Sequence, residues 1–358
     1  MERGCIMKII LPNPRGFCAG VYMAIDVVDQ LLEICRDEAI YVYHEIVHNK
    51  HVVSRFRERG VQFVDDLNDV PEDSIVVFSA HGVSPAIRQL ARRRRLTAID
   101  ATCPLVTKVH AEAIRYARKG YQIILIGHAD HQEVIGTRGE APHSIQVIES
   151  VEDIASLKVA DPGKLAYITQ TTLSMDDAKT IIAALKKAFP QIKDPPSEDI
   201  CYATTNRQSA VRAIAPDCDL ILVVGSKNSS NSRRLTEIAE ACGTPARLID
   251  DKSELEPAWL EGVRTLLITA GASAPEDLAQ DLVLELIERY SGEVEQHDIH
   301  GEAVEFGLPG TLRQFMRDRG IDPAGRRITM DNAASLAQCL DEHRISHRTI
   351  DLTIGATA

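Results

Sequence analysis

The sequence predicts an α/β fold in which parallel sheets are covered by helices. Short segments rich in apolar and β-branched residues alternate with amphipathic segments along the whole chain, which is typical of repeated strand–helix units. With 358 residues and 44% hydrophobic content, the chain can bury a large core and form two or three domains. Three cysteine-containing segments of similar pattern recur at intervals of about one small domain.

Most strand candidates are short apolar runs that precede a helix candidate. Strands are predicted at 40–43, 75–78, 122–126, 145–147, 166–169, 220–224 and 265–269. Helices are predicted at 21–35, 105–118, 175–188 and 232–242, because apolar residues recur there at spacings of three and four.

Charge and hydropathy argue against two classes of partner. A net charge of -12 and a pI near 5.5 leave no general basic face for nucleic acid. The apolar runs 123–126 and 220–224 are too short to cross a bilayer, and the N-terminal run 6–11 is shorter than a secretion signal. We therefore expect a cytoplasmic protein, a monomer or weak dimer, that binds neither nucleic acid nor membranes.

Three of the eight cysteines share one local context. Cys18, Cys103 and Cys201 each follow an apolar or strand-like segment and directly precede a helix candidate, in KIILPNPRGFCAGV, LTAIDATCPLVTKV and SEDICYATTNRQSAV. If each lies at the carboxyl end of its own sheet, the three thiols can converge, and helix N-termini favour their thiolate forms. We expect no disulfide framework, since cytosolic thiols stay reduced.

Three converging thiolates predict a soft metal site with a vacancy. Sulfur ligands select zinc, Cu(I) or an iron–sulfur cluster, and a cubane cluster normally takes four cysteines. A vacant position on zinc indicates a hydrolase, whereas a vacant iron on a cluster indicates a reductase. The residues around the cysteines must distinguish the two.

Two strand-to-helix turns predict a diphosphate site. The serine-rich run 226–232 follows the strand candidate 220–224 and opens a helix, so hydroxyls and backbone N–H groups can bind a phosphate. The segment 269–273 repeats this arrangement. For the serine run 226–232, a capped helix start is an equally good explanation. The sequence lacks GxxxxGK[ST] and GxGxxG, which argues against a nucleotide. Four histidines could add to the site: His48, His81, His128 and His131.

Glu133 is the candidate proton donor. It lies two residues after His131, and in an extended segment such residues point to one face. Burial would raise the pKa of this carboxyl towards neutrality. In TQTTLS, Thr171 and Thr172 could relay protons or cap the next helix, and capping is the preferred interpretation of Thr172.

Seven motifs together resemble one known family. They are RGFCAGV, ATCPLVTKVH, GHADHQEVIGTRGE, TQTTLS, ICYATTNRQ, VGSKNSSNSRRL and ITAGASAPE, and they occur in order within about residues 7–315. This set closely resembles the LytB family of 4-hydroxy-3-methylbut-2-enyl diphosphate reductases. The resemblance implies three small α/β domains, with mainly parallel sheets, in a pseudo-threefold arrangement around a central [4Fe-4S] cluster. We expect domains at 19–103, 104–200 and 201–290, with 1–18 near the centre and 291–358 as a C-terminal segment.

The resemblance also implies the reaction and the roles of its residues. The family removes the hydroxyl of its substrate reductively, which yields isopentenyl and dimethylallyl diphosphates, as the last step of the non-mevalonate isoprenoid pathway. Ferredoxin or flavodoxin supplies two electrons singly. The cluster would be held by Cys18, Cys103 and Cys201, leaving one iron for the substrate. The diphosphate would be bound by His48, His81, Ser229, Ser230, Asn231 and Ser273, and the catalytic residues near the substrate hydroxyl would be His131, Glu133 and Thr171.

Two alternatives remain from other functional classes. A zinc Cys₃ hydrolase would use the same thiols, and a non-enzymatic phosphate-binding redox sensor would not need Glu133. The run Arg92–Arg95 is either a solvated helix end or a docking patch for an acidic electron donor. From about residue 314 to 358 the chain departs from the family pattern, and there we expect a packed surface extension with a helix at 332–343.

Overall fold

The computed structural model describes residues 7–326 and 336–352, and in this part of the chain every strand pair is parallel. The strands are β1 (Lys8–Asn13), β2 (Ile40–Tyr43), β3 (Gln62–Val64), β4 (Ile75–Phe78), β5 (Thr97–Asp100), β6 (Gln122–Ile126), β7 (Ile145–Ile148), β8 (Leu165–Thr169), β9 (Leu220–Val224), β10 (Ala246–Ile249), β11 (Thr265–Ala270), β12 (Glu293–Asp298) and β13 (His347–Asp351). The α-helices are α1 (Ala19–Ile34), α2 (Lys50–Glu58), α3 (Pro85–Arg93), α4 (Pro104–Arg118), α5 (Gln132–Glu140), α6 (Met175–Ala188), α7 (Tyr202–Ile214), α8 (Ser230–Ala241), α9 (Glu276–Tyr290), α10 (Gly310–Asp318) and α11 (Leu336–Glu342). The predicted α/β class with parallel sheets is confirmed.

The described strands form three sheets. Their orders are β3-β2-β4-β5, β7-β6-β8 and β10-β9-β11-β1-β12-β13. The first two sheets come from within the predicted first and second domains. The third combines strands of the predicted third domain with the N-terminal strand β1 and the C-terminal strands β12 and β13. The domain boundaries themselves remain predictions.

Helices bury both faces of the central apolar strands in each sheet. In the three-stranded sheet, Ile123 and Leu125 belong to one apolar cluster, whereas Ile124 and Ile126 belong to another on the opposite face. The six-stranded sheet divides in the same way between two clusters. Because neither face is exposed to water, the strands read as continuous apolar runs, and each fully buried Ile or Leu contributes about 1.5–3 kcal/mol to stability.

The predicted elements occur with small shifts of their ends. Helices α1 and α8 each begin two residues before the predicted position, because Cys18 and Ser229 occupy the N-cap positions. Strand β12 (EVEQHD) was missed because its residues are polar. Its Glu295 is 2% exposed and receives hydrogen bonds from charged partners, Lys8 at 2.8 Å and Arg348. Burial alone would raise the pKa of Glu295, but these partners hold it at about 2.

The C-terminal segment contacts two of the sheets. Helix α10 places Leu312 and Met316 in the core of the four-stranded sheet. Helix α11 joins the core of the six-stranded sheet, and β13 pairs with residues 294–298 of β12. The predicted helix at 332–343 corresponds to α11 in its described part, while 327–335 lie outside the described residues.

Arg207 joins two of the cysteine-bearing segments. Its fully buried guanidinium, on α7, donates to the Gly16 carbonyl at 2.9 and 3.1 Å and to the Ala203 carbonyl at 3.0 Å. It also pairs with Glu302 at 3.0 Å. Because Gly16 lies two residues before Cys18, this side chain fixes the start of α1 against α7.

We expect Arg207→Met to lower stability by about 3 kcal/mol, because it leaves two carbonyls and a carboxylate without their buried partner. The thermal midpoint of the variant should fall clearly below that of the wild type. Arg212→Met on the same helix is the control. Its guanidinium is 46% exposed and pairs with Asp176 at the surface, so we expect a loss below about 1 kcal/mol. Equal midpoints for the two variants would contradict this role.

Candidate functional site

One cavity receives residues from the loops of all three sheets. It contains about 670 Å³ of space not filled by protein, including its open mouth. All of the residues that the family resemblance implies for the site line it: Cys18, His48, His81, Cys103, His131, Glu133, Thr171, Cys201, Ser229, Ser230, Asn231 and Ser273. The structure therefore brings this set together, whereas His128, the fourth candidate histidine, lies outside the lining.

Each of the three cysteines is the N-cap residue of a helix. Cys18 precedes α1, Cys103 precedes α4 and Cys201 precedes α7. The first two follow strands β1 and β5, as predicted. The strand-like segment expected before Cys201 is wrong, since a loop follows α6 and leads to this cysteine. Its backbone N–H instead donates to the Thr171 carbonyl at 3.0 Å, just beyond β8, so the three-stranded sheet positions this thiol.

Burial and the neighbouring Cys18 oppose ionisation of Cys103 and Cys201. Burial raises the pKa of Cys201 to about 11, and the nearby Cys18 adds to this shift. The pKa of Cys103 is raised further, again first by burial and then by Cys18. A hydrogen bond from the Thr204 N–H at 3.4 Å partly offsets the effect at Cys201. A positively charged group between the sulfurs would stabilise all three thiolates.

The cavity fits a group bound by sulfur. A Cβ atom on Gly20 would lie 2.6 Å from the Cys103 sulfur and 3.9 Å from the Cys18 sulfur, so only glycine lets both sulfurs face the same space. Within residues 7–326 and 336–352, no three His, Cys, Asp or Glu side chains are grouped so as to hold one metal ion. The cysteines of a cubane cluster need not be grouped around one ion, because each of them binds a different iron.

Three histidine rings form one wall of the cavity. His48 stacks on His81 with ring centres 3.9 Å apart, and His131 approaches both rings edge-on at 5.2 and 5.8 Å. Burial first, and then repulsion by His48, lowers the pKa of His131 to about 3, and the same causes depress the pKa of His81. These two rings are therefore neutral at pH 7, and a bound anion would favour their protonation.

Serine and asparagine side chains form the opposite wall. Ser229 caps α8 by accepting the Ser232 N–H at 3.3 Å, so this residue both begins a helix and lines the cavity. Ser273 donates to the His48 carbonyl at 2.9 Å, which links this wall to the histidines. Asn231 accepts the Ala272 N–H at 2.8 Å. Hydroxyls at a helix N-terminus favour an anion.

Glu133 is a buried carboxyl poised to hold a proton. Its two oxygens accept the Thr171 N–H at 2.7 Å and the Thr171 hydroxyl at 2.8 Å. Burial raises the pKa of Glu133 to about 7, although both hydrogen bonds act in the opposite direction. Near neutral pH the group therefore exchanges a proton readily.

Three local expectations are wrong. The segment from His131 to Glu133 is not extended, since His131 caps α5 by accepting the Glu133 N–H at 3.2 Å on Nδ1. Thr172 does not cap α6, because Ser174 does so. His128 is absent from the cavity lining and instead contacts Glu149 at 3.1 Å and Arg234.

Sequence reasoning missed Thr204, which lines the cavity. Its hydroxyl lies 3.2 Å from the Cys201 sulfur and accepts the thiol proton in the free protein. The sequence contained a signal for this residue, because Thr204 lies three positions after the N-cap Cys201. A hydrogen-bonding residue at that position commonly faces the cap.

Comparisons with known proteins support one family. The LytB protein family model matches residues 9–287. The chain is similar to the 4-hydroxy-3-methylbut-2-enyl diphosphate reductase of Idiomarina loihiensis, with 54% identity over 86% of this chain and 98% of that protein. It is also similar to the protein of the same name from Acidothermus cellulolyticus, with 50% identity over 90% and 94% of the two chains.

Two solved structures have a similar fold. The E-1-hydroxy-2-methyl-but-2-enyl-4-diphosphate reductase of Plasmodium falciparum has a TM-score of 0.85 and 42% identity, over 88% of this chain and 99% of that chain. A (E)-4-hydroxy-3-methyl-but-2-enyl diphosphate reductase, described as the terminal enzyme of the non-mevalonate pathway, has a TM-score of 0.57 and 31% identity, over 79% and 100%. In the described part of our chain, the helices are too short or too polar to cross a membrane.

We expect Gly20→Ala to lower the thermal midpoint, because the new Cβ would push the Cys103 sulfur out of place. Such overpacking costs about 1–3 kcal/mol, whereas alanine in a helix gains only about 1 kcal/mol over glycine. Gly310→Ala is the matched control. Gly310 also lies at the start of a helix, but no atom is within 4 Å of the added Cβ. An unchanged or higher midpoint for Gly20→Ala would contradict the packing argument.

Proposed function

Because this chain belongs to the LytB family, we propose that it is a 4-hydroxy-3-methylbut-2-enyl diphosphate reductase. It would convert its substrate to isopentenyl and dimethylallyl diphosphates with two electrons and two protons, releasing water. One observation carries the proposal: three cysteine thiols, a set of histidine and serine side chains suited to an anion, and a protonatable carboxyl line one cavity. A phosphate-binding sensor would not need the protonatable carboxyl.

We propose that Cys18, Cys103 and Cys201 bind a [4Fe-4S] cluster. The supporting observations are three N-capping thiols around one cavity and the close approach of two of them at Gly20. When bound, such a cluster supplies electrons and one iron without a protein ligand, which acts as a Lewis acid. The helix N-termini would stabilise the thiolates.

The diphosphate would lie between the histidine and serine walls. His48 and His81 offer ring N–H groups on one side, while Ser229, Ser230, Asn231 and Ser273 offer hydroxyl and amide donors on the other. Since the chain carries a net charge of -12, these local donors must offset the charge of the ligand themselves. Their convergence would orient the carbon end of the substrate towards the thiols.

Glu133 would deliver the proton that leaves with the substrate hydroxyl as water. Thr171 donates two hydrogen bonds to it, which fixes the carboxyl in place and allows the hydroxyl to relay the proton. His131 stands beside Glu133 at the start of α5. Because its Nδ1 accepts a hydrogen bond, the neutral ring carries its proton on Nε2 and can donate from that atom.

We propose ferredoxin or flavodoxin as the electron donor and the cytoplasm as the location. In the predicted docking patch, Arg94 donates to the Val70 carbonyl at 2.7 Å, and Arg95 pairs with Glu72 and Asp73. The exposed Arg92 and Arg93 are thus the residues of this run that could attract an acidic donor.

Replacing a proposed ligand should remove the cluster. We expect the wild type, purified without oxygen, to contain about four irons and four sulfides per chain, and Cys18→Ser, Cys103→Ser and Cys201→Ser each to lose most of both. Elemental analysis and visible spectra measure this directly. Cys242→Ser is the control, since Cys242 ends α8 and does not line the cavity. A colourless, fully active wild type containing zinc would refute the cluster and favour the hydrolase.

Glu133→Gln should reduce turnover by about a hundredfold or more, because the amide cannot supply a proton, while substrate binding persists. Since burial raises the pKa of Glu133 to about 7, its donor form predominates below that pH. The dithionite-driven rate of the wild type should therefore decline as pH rises through about 7, and this dependence should vanish in the variant. Glu149→Gln, at an exposed carboxyl paired with His128, serves as the control. Full turnover by Glu133→Gln would exclude the proton role.

A further inference from the structure

Glu45 contacts both walls of the cavity from outside. It lies in the loop between β2 and α2 and does not itself line the cavity. One of its oxygens, Oε2, lies 3.1 Å from Nδ1 of His48 and accepts the side-chain N–H of Asn228 at 2.8 Å. His48 belongs to the histidine wall, and Asn228 directly precedes Ser229 of the serine wall. A single carboxylate oxygen thus connects two loops that lie 183 residues apart in sequence.

His48 differs from its two neighbours in what its second ring nitrogen contacts. Nδ1 of His131 accepts a backbone N–H, and Nδ1 of His81 faces the Ser79 hydroxyl at 3.3 Å. Of these three partners, only the carboxylate of Glu45 has no hydrogen to donate, so the His48 ring must donate the hydrogen bond. The Nδ1 atom of His48 therefore carries hydrogen, its ring orientation is fixed, and Nε2 is left for the cavity.

We propose that Glu45 is a positioning residue for the diphosphate, which orients His48 directly and holds the Ser229 turn through Asn228. The inference rests on the proposed diphosphate site. A His48 ring with hydrogen on both nitrogens would donate to Glu45 from Nδ1 and to phosphate from Nε2. A carboxylate behind a ligating histidine acts in this way in many sites, where its loss weakens binding about 10- to 100-fold.

The charges around the pair are consistent with an ionised Glu45. The hydrogen bond from His48 lowers the pKa of Glu45 and is the largest influence on it. Burial raises this pKa by a smaller amount than that, and Asn228 and Arg57 lower it further. The titratable rings that face His48 are His81 and His131. Glu45 is therefore the anionic partner of this group of rings when no ligand is bound.

Other contacts hold the same loops, so the fold should survive loss of the Glu45 charge. Ser273 donates to the His48 carbonyl at 2.9 Å. The Lys50 N–H donates to the Ser226 hydroxyl at 3.0 Å, and that hydroxyl donates to Asp250 at 2.6 Å. These bonds keep α2 against the loop after β9 without help from Glu45.

The test compares binding of inorganic diphosphate to the anaerobic holoenzyme by calorimetry. We expect Glu45→Gln to weaken binding about tenfold and to raise KM for the substrate by a similar factor, with kcat under dithionite changed less than about twofold. Glu45→Asp, which retains the charge, should recover part of the affinity. Equal or tighter binding by Glu45→Gln overturns the proposal, because relief of charge repulsion would then be the dominant effect.

Asp65→Asn is the matched control. Asp65 lies 2.9 Å from Nδ1 of His44, so the variant removes the same charge from the same kind of pair, but His44 does not line the cavity. We expect its affinity to stay within about twofold of the wild type. A tenfold loss there too would show a general effect of charge and overturn the specific role of Glu45.

A double-mutant cycle separates positioning from other effects. If Glu45 acts through His48, then Glu45→Gln should cost much less in a His48→Ala background, where only the contact with Asn228 remains. Asn228→Ala alone should weaken binding about threefold, and an unchanged affinity would overturn the part of the proposal that concerns the Ser229 turn. If the wild type turns over substrate but the losses of the two single variants are fully additive in the double variant, the positioning role alone is refuted. If the wild type binds no diphosphate, the proposed diphosphate site is refuted as well.

Discussion

Three cysteine side chains share one cavity, and the surrounding structure is arranged to allow it. Each sulfur comes from a different helix N-cap, and those helices are held by different sheets. The backbone must approach closely at Gly20, where a single Cβ would collide with Cys103. Arg207 then fixes the segment before Cys18 against the helix that Cys201 begins. In the free protein, burial and the neighbouring Cys18 raise the pKa of Cys103 and Cys201, which disfavours their thiolate forms. A cationic group bound by the sulfurs would reverse this effect.

The same burial determines the charge state of the rest of the cavity. It lowers the pKa of His131 and His81, and it raises the pKa of Glu133. Near neutral pH the two rings are uncharged, and Glu133 can exchange a proton. A diphosphate would thus enter a cavity whose donors are polar but little charged, and its own charge would favour proton uptake by the rings. Desolvation is thus the first cause of the pKa shifts of both rings and of the carboxyl.

Sequence patterns predicted those parts of the fold that depend on local periodicity. Strands such as β9 are apolar on both faces because helices cover both sides, so they are visible as runs. Strand β12 is not visible as an apolar run, because its buried Glu295 is stabilised by Lys8 and Arg348, which are distant in sequence.

The cysteines could be grouped from their shared helix-start context, but the short segment SEDIC did not distinguish the loop before Cys201 from a strand. The proximity of His131 and Glu133 was predicted from extended geometry, yet it results from helix capping. Residue pairs two apart can meet in either way, so the sequence alone does not separate the two causes.

Residues that act through others are the hardest to find from sequence. Glu45 and Asn228 lie outside the cavity lining, and nothing in their local pattern resembles a motif. Their importance follows from one shared oxygen atom between two loops, which only the three-dimensional structure displays. The general reason is that the walls of this site come from different sheets, so its geometry depends on contacts between loops rather than on any one element. Ser273 to the His48 carbonyl and Cys201 to the Thr171 carbonyl are contacts of this kind. Since each connects a residue of the cavity to another sheet, these contacts help to set the relative positions of the cysteines, the histidine and serine walls and Glu133.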